Sequence, residues 1–330
     1  MVDPLRGTPM RVLFCGTPEF GIPTMRSLLA DTRFQVTGVI TQPDRRRGRG
    51  LESGESPVKR LAHQAGLEVF QPEKIRAPEA QQWIEGKTPD AVVLVAYGQI
   101  LPARLLAIPR LGWINLHGSL LPRYRGAAPV AWAIANGEKR TGVTTMQIDA
   151  GMDTGSMLLA RELAIGADED APALYSRMAE AGAPLVLETL DGLERGTLVP
   201  RPQENERATY APLLKREDGR IAWESSAQQI YDRMRGFAPW PGAFAQFRGA
   251  RVSLWGRPWT PAAEPLESAG AGTMRQAGGA LLVACGPGGP GDGATWLEIT
   301  EAQPEGRRRV TAREFAIGAR LGASAGERFE

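Results

Sequence analysis

Cysteine and histidine are nearly absent from this chain, with two of each in 330 residues. Cys15 and Cys285 lie far apart and match no CxxC or Cys/His spacing, so the sequence argues against a disulfide framework and against a structural zinc site; no metal is expected. Each thiol reads as a small buried apolar residue. Long apolar runs are missing too. The longest, AVVLVAYGQIL from Ala91 to Leu101, is too short to cross a bilayer and already contains Gly98 and Gln99, so no membrane association is expected. No signal-peptide pattern precedes the first strand, and the nine residues before Met10 read as a frayed extension or an upstream start. A cytoplasmic protein is the expectation. An excess of one charge is lacking: 39 basic against 37 acidic residues leave a formal net charge of +2, which speaks neither for nor against an anionic partner. Lysine is scarce, 5 against 34 arginines, and that bias discounts any arginine cluster before it is read as a binding site.

What is present is an alternation. MRVLFCG, FQVTGVIT, LEVFQP, DAVVLVAYG, WINLHG and TGVTTMQID read as strands, with helical patterns between them. TPEFGIPTMRSLLAD reads as a helix capped by Thr17 with Pro18 in its first turn; SPVKRLAHQAG starts at Ser56-Pro57 and closes at Gly66. Repeated strand–helix units with a fully apolar central strand predict an open, doubly wound, mostly parallel α/β sheet. Residues 196–210, polar and punctuated by Pro200 and Pro202, read as a linker between a domain of residues 1–195 and one of residues 211–330. Beyond it come one helix, with Ser225 or Ser226 as cap, and short β-like runs between Gly/Pro-rich turns. That pattern predicts a small barrel.

In such sheets ligands bind beyond the carboxyl ends of the strands. That rule places Gly16, Tyr97-Gly98, Asn115 to Ser119 and Asp149 to Asp153 on one rim. Strand alternation puts Asn115 and His117 on one face and Leu116 on the other. An amide and an imidazolium side by side are two donors suited to a developing oxyanion. Asp153, in GMDTG, would hold His117 by a hydrogen bond and favour its charged form. Spacing leaves a second reading open, a strand-end histidine satisfied by a backbone group. His63 lies in a helical pattern and reads as structural or solvent-facing; GTPEFG is not a GxGxxG motif, and SLLP is not a nucleophile elbow.

INLHGSLLPRYRGAAP followed by TGVTTMQIDAGMDTG resembles the signature of the 10-formyltetrahydrofolate-dependent formyltransferases. The resemblance implies that Asn115, His117 and Asp153 are catalytic. It further implies that Tyr97, Gly98, Gln99, Ile100 and Leu101, with Ser119, Leu120, Leu121 and Pro122, surround the folate. Nearly the whole chain resembles the branch of that family that formylates initiator methionyl-tRNA, through FCGTPEFG, TQPDRRRGRG, SPVKRLA, VAYGQILP, YAPLLKREDGRIAW and RGFAPWPGAF. The implied fold is a Rossmann-like catalytic domain followed by an OB-like barrel, in a monomer. The basic loop with Arg45, Arg46, Arg47 and Arg49 is implied to meet the tRNA acceptor end, and Arg307, Arg308 and Arg309 to help form a tRNA-binding face. One departure is visible: LESGES, with Glu52 and Glu55, stands where basic residues would follow GRG. Three alternatives remain open at this point: formyl transfer to a small amine, hydrolysis of formyltetrahydrofolate, and a non-catalytic binding module. The basic loop weighs against the first, and the intact triplet against the last.

Overall fold

The structure, a computed structural model, describes residues 8–47, 52–260, 266, 269–289, 293–321 and 327–330. The chain divides into two compact units. The first takes the residues up to Pro129, with Arg140–Ala164 and Ala173–Pro212; the second takes Val130–Lys139, Ile165–Pro172 and the chain from Leu213 onward.

The first unit carries strands β1 (Met10–Gly16), β2 (Phe34–Ile40), the short β3 (Arg45–Arg47) and β4 (Glu52–Gly54), β5 (Val69–Phe70), β6 (Ala91–Val95), β7 (Trp113–His117), β8 (Arg125–Gly126), β9 (Arg140–Gln147), β10 (Met157–Ala164) and β11 (Tyr210–Ala211). Its helices are α1 (Ile22–Ala30), α2 (Pro57–Gln64), α3 (Pro78–Gly86) and the one-turn α4 (Ala103–Leu106); α5 (Pro129–Ala135) goes mostly with the second unit, and α6 (Ala171–Glu194) mostly with the first. Seven strands form one sheet in the order β10-β9-β7-β6-β1-β2-β5. Pairing is parallel from β7 through to β5, whereas β9 runs antiparallel to β7 and β10 antiparallel to β9. The central strands are apolar on both faces because helices cover both: Leu13, Val92, Val93 and Ile114 are all inaccessible to solvent. On one face, Gly182 of α6 lets the helix come so close to β7 that an added Cβ would stand 2.5 Å from Leu116 Cδ2. The side chain between Asn115 and His117 is thus packed away from them.

Two local expectations change. Thr17 does not cap α1, which begins only at Ile22 after a short 3-10 turn at Glu19–Gly21. Its hydroxyl instead accepts from Thr41 Oγ1 at 3.3 Å and from the Gln42 amide at 3.2 Å, tying the end of β1 to the end of β2. The segment 196–210, expected to be a linker, is held to the first unit. Arg201 pairs with Met157, and Tyr210–Ala211 runs parallel to Arg125–Gly126. Ser56 and Ser226 do cap their helices, accepting from Lys59 and Gln229 respectively.

The second unit contains α7 (Ala227–Gly236), β12 (Phe244–Phe247), β13 (Ala250–Trp259), β14 (Met274–Ala277), β15 (Ala280–Pro287), β16 (Ala294–Pro304), β17 (Val310–Thr311) and α8 (Ala312–Gly318). The strands form an antiparallel sheet ordered β12-β13-β16-β15-β14, with β17 added to β16. No pair closes β12 onto β14 among the described residues. One face packs on Ile230, Met234, Phe247, Leu297, Phe315 and Phe329. Arg235 and Asp232 of α7 form a buried pair at 2.7 Å, and the same guanidinium donates to the Glu169 carbonyl at 2.8 Å. The buried charge is therefore compensated within this unit.

Candidate active site

The carboxyl half of β7 is buried yet polar. Asn115 and His117 are 7% and 6% exposed, between β6 and β9 in the sheet. Asn115 makes no side-chain hydrogen bond among the described residues, so its amide donors are uncommitted. His117 Nε2 lies 2.9 Å from the Tyr124 carbonyl oxygen. A carbonyl only accepts, so Nε2 must carry a proton and Nδ1 is the basic nitrogen of the neutral ring. Nδ1 stands 3.7 Å from Asp153 Oδ2.

That geometry corrects the expected partner. At 3.7 Å the carboxylate is within ion-pairing range but too far for a hydrogen bond. The hydrogen bond that orients the ring goes to the Tyr124 backbone. Asp153 Oδ2 accepts instead from the Gly126 amide, at 2.8 Å. The three residues Tyr124–Arg125–Gly126 thus hold both the His117 and the Asp153 side chains. Gly126 is required there, since its φ is +119° and an added Cβ would meet the Ala211 carbonyl at 2.7 Å.

The route of Asp153 to the site also differs from the rim rule. β9 is antiparallel to β7, with Gln147 opposite Ile114 and Thr144 opposite His117. Its carboxyl end therefore lies beside the amino end of β7, and the loop must run back to bring Asp153 to His117. Asp153 adopts φ +54° in that loop, a left-handed conformation that Asp tolerates better than most residues. Gln203 Nε2 donates to the carbonyls of Asp153 at 2.8 Å and Gly155 at 2.7 Å. Gln203 Oε1 accepts from Arg125, which is 2% exposed. Neither Gln203 nor Arg125 stands out in the sequence, because their partners are backbone atoms and an amide 78 positions away. A cavity of roughly 370 Å³ lies along the same loop, lined by Gln147, Ile148, Asp149, Thr154, Gly155, Ser156, Pro202, Gln203 and Asn205. Neither Asn115 nor His117 lines it.

The two segments assigned to the folate divide between core and surface. Tyr97 and Leu101 are buried in the core, and burial raises the Tyr97 phenol far above its ordinary range. Gln99 is spent on the Ile75 amide and the Glu73 carbonyl. Gly98 faces open space, and Ile100 is 84% exposed. Ser119 and Leu121 are buried; Ser119 Oγ donates to the Arg123 carbonyl at 2.6 Å, and Thr144 Oγ1 donates to the Ser119 carbonyl at 2.7 Å. Leu120 and Pro122 are half-buried. SLLP is thus a packed turn that supports β7.

Arg45, Arg46 and Arg47 form a short antiparallel ladder with Gly54, Ser53 and Glu52, and Arg49 lies outside the described residues. The base of this arm is pinned by the Lys59–Asp44 ion pair. Arg307, Arg308 and Arg309 are exposed on the turn after β16. Arg308 pairs with Glu314 at 3.2 Å; Arg309 pairs with Glu301 and lies over the Trp255 ring. Among the described residues, no three His, Cys, Asp or Glu side chains come together as a metal site, and no helix is long and apolar enough to cross a membrane.

Residues 10–190 match the formyl transferase family, and residues 213–320 match its C-terminal domain. The chain belongs to the formyl transferase family. It is 49% identical over 313 residues to the methionyl-tRNA formyltransferase of Solibacter usitatus, covering 94% of this chain and 96% of that one. It is 48% identical to the enzyme of the same name from Acidobacterium capsulatum, with the same coverage. Among solved structures it is similar in fold to WlaRD, a sugar 3N-formyl transferase determined with dTDP and 5-N-formyl-THF (TM-score 0.62, 16% identity, 92% of this chain and 100% of that one). HypX from Aquifex aeolicus, in complex with tetrahydrofolic acid, shares the fold over 95% of this chain and 48% of its own (TM-score 0.57, 18% identity).

Proposed function

We propose that this formyltransferase moves a formyl group from 10-formyltetrahydrofolate to the α-amino group of methionine on initiator methionyl-tRNA. The observation that carries the acceptor is the match, at 49% identity and along 94% of the chain, to a methionyl-tRNA formyltransferase. A sugar formyltransferase is similar to it at 16% only, which sets the small-amine reading behind.

The chemistry follows from three side chains. The amine nitrogen bonds to the formyl carbon, and the carbonyl electron pair moves onto oxygen. The Asn115 amide, without a side-chain hydrogen bond among the described residues, donates to that oxyanion. With its Nε2 proton committed to Tyr124, His117 takes the proton shed by the amine on Nδ1. Asp153 then faces a developing imidazolium at 3.7 Å and stabilises it. Collapse breaks the bond from carbon to N10, and the proton held on His117 leaves with the tetrahydrofolate nitrogen. The products are an N-formyl amide and tetrahydrofolate, with no covalent enzyme intermediate.

Ile100, exposed beside Gly98, supplies an apolar edge suited to a flat heterocycle, which supports folate binding by the 97–101 segment; the 119–122 segment is read as folate-associated from the resemblance alone. We read residues 1–195 as the catalytic domain and 211–330 as an OB-like tRNA-binding domain. Arg45, Arg46, Arg47 and Arg49, with Arg307, Arg308 and Arg309, are read as neutralising tRNA phosphates in a cytoplasmic monomer.

The test supplies formyl donor with charged initiator tRNA, uncharged tRNA, charged elongator tRNA or no acceptor. Formyl on methionyl initiator tRNA alone is the expected outcome. Donor consumption at the same rate without acceptor would refute it in favour of hydrolysis.

A further inference from the structure

We propose that Gln203 is a positioning residue for Asp153, acting through the backbone of the loop that carries it. The proposal rests on the catalytic reading of Asp153 given above. The Gln203 amide orientation is fixed by chemistry. Its two carbonyl partners, Asp153 O and Gly155 O, can only accept, so they must face the NH2 group. The Arg125 guanidinium can only donate, so its Nε at 3.0 Å and Nη2 at 2.7 Å must face the oxygen. All the polar capacity of this one side chain is therefore engaged, and in one arrangement only.

The tether has a reason to exist. The loop starts at the far end of β7 and must return, and at Asp153 it takes a left-handed conformation. Fixing the carbonyls of residues 153 and 155 on either side of Thr154 removes the freedom by which the carboxylate would drift from His117 Nδ1. The anchor is rigid in turn. Arg125 is 2% exposed, and its second amide partner is Asn205 Oδ1 at 2.9 Å. No carboxylate pairs with this guanidinium among the described residues. It belongs to the segment whose neighbours hold His117, through Tyr124 O, and Asp153, through Gly126 N. Ring, carboxylate and loop are thus referenced to the same three residues.

Gln203→Glu separates positioning from simple structural support. A glutamate offers Arg125 a charge-assisted partner, so the buried guanidinium is at least as well satisfied as before. It cannot donate to the two carbonyls, and it places a negative oxygen against them. If Gln203 merely holds Arg125, Gln203→Glu behaves as wild type. If it positions Asp153, thermal stability is kept while kcat falls at least tenfold, and KM for the formyl donor changes less than threefold.

A second readout needs no turnover. The chain has only two histidines, so ring-labelled histidine gives two sets of NMR signals, with His63 as internal reference. In Gln203→Glu the His117 ring signals are expected to move and those of His63 to stay. Asn205→Ala, which trims the other amide partner of Arg125, is expected to leave the His117 signals in place. A wild-type kcat, or unmoved His117 signals, in a folded Gln203→Glu protein overturns the proposal. Should the wild-type chain transfer no formyl group, the functional reading fails while the His117 signals still decide the role of Gln203.

Discussion

Replacing Asp153 by Asn isolates the charge that the proposed mechanism uses. The amide oxygen can still accept from the Gly126 amide, and Asn tolerates the left-handed φ of +54° at least as well as Asp. Loop and fold are therefore expected to survive, with a stability change within about 1 kcal/mol. What is lost is the attraction between carboxylate and imidazolium. At 3.7 Å, with an effective dielectric of about 20, two unit charges attract by about 4.5 kcal/mol. Both groups are well shielded, with side-chain exposures of 6% and 18%, so solvent screens this little. The asparagine dipole recovers part of it. At about 1.4 kcal/mol per tenfold, kcat is expected to fall by about a hundred- to a thousandfold. In the proposed mechanism the imidazolium forms as the amine gives up its proton, so the loss belongs to kcat, while KM for donor and acceptor stays within a fewfold. Single-turnover formylation of charged initiator tRNA, with thermal unfolding as control, measures this. A folded Asp153→Asn enzyme within tenfold of wild-type kcat would refute the charge argument.

The remaining expectations concern the scaffold. In Gly155→Ala the new Cβ would stand 1.8 Å from the Gln147 carbonyl oxygen, so the backbone of the Asp153 loop must shift. Stability drops by about 1–3 kcal/mol and kcat by more than tenfold; a variant with unchanged melting and turnover contradicts that packing. Arg235→Ala leaves Asp232 buried without its counter-charge and costs about 3–5 kcal/mol by urea unfolding, whereas Asp232→Asn with Arg235→Met recovers much of it. Burial pushes the Cys285 thiol up to about 12 and raises Cys15 as well. At pH 8 only about one Cys285 in ten thousand is then the reactive thiolate, so a thiol reagent should label neither cysteine in the native protein and both in denaturant. For Cys285 this lies above the unfolded value of about 8.5, so the stability that thiol contributes is whole below that pH and is lost as pH rises toward 12; burial of Cys15 acts in the same direction.

The legible part of this site is the part written in side-chain identity and local period. Alternation along WINLH placed Asn115 and His117 on one face, and the structure packs Leu116 against Gly182 on the other. The doubly wound sheet was readable from its apolar strands, but not the reversal at β9. A strand covered on both faces carries the same residue pattern in either direction. The hydrogen bond expected from His117 to Asp153 goes from His117 to a backbone carbonyl instead, and every residue has one of those. Gln203 was hidden for a related reason. Two prolines and a run of polar residues have the composition of a linker, and composition does not report a bond to a carbonyl fifty positions earlier.

The backbone partners also explain why the triplet can be so small. A histidine that serves first as base and then as acid needs one nitrogen fixed and the other free, and a carbonyl is the simplest group that enforces this. Tyr124 O pins the proton at Nε2 without a charge of its own. The carboxylate of Asp153 stands 3.7 Å from Nδ1, beyond hydrogen-bond distance. Had Asp153 accepted a hydrogen bond from Nδ1 as well, both ring nitrogens would carry protons and neither could act as a base. In the proposed mechanism, separating orientation from charge, one from β7's own turn and one from a returning loop, keeps Nδ1 available to the attacking amine.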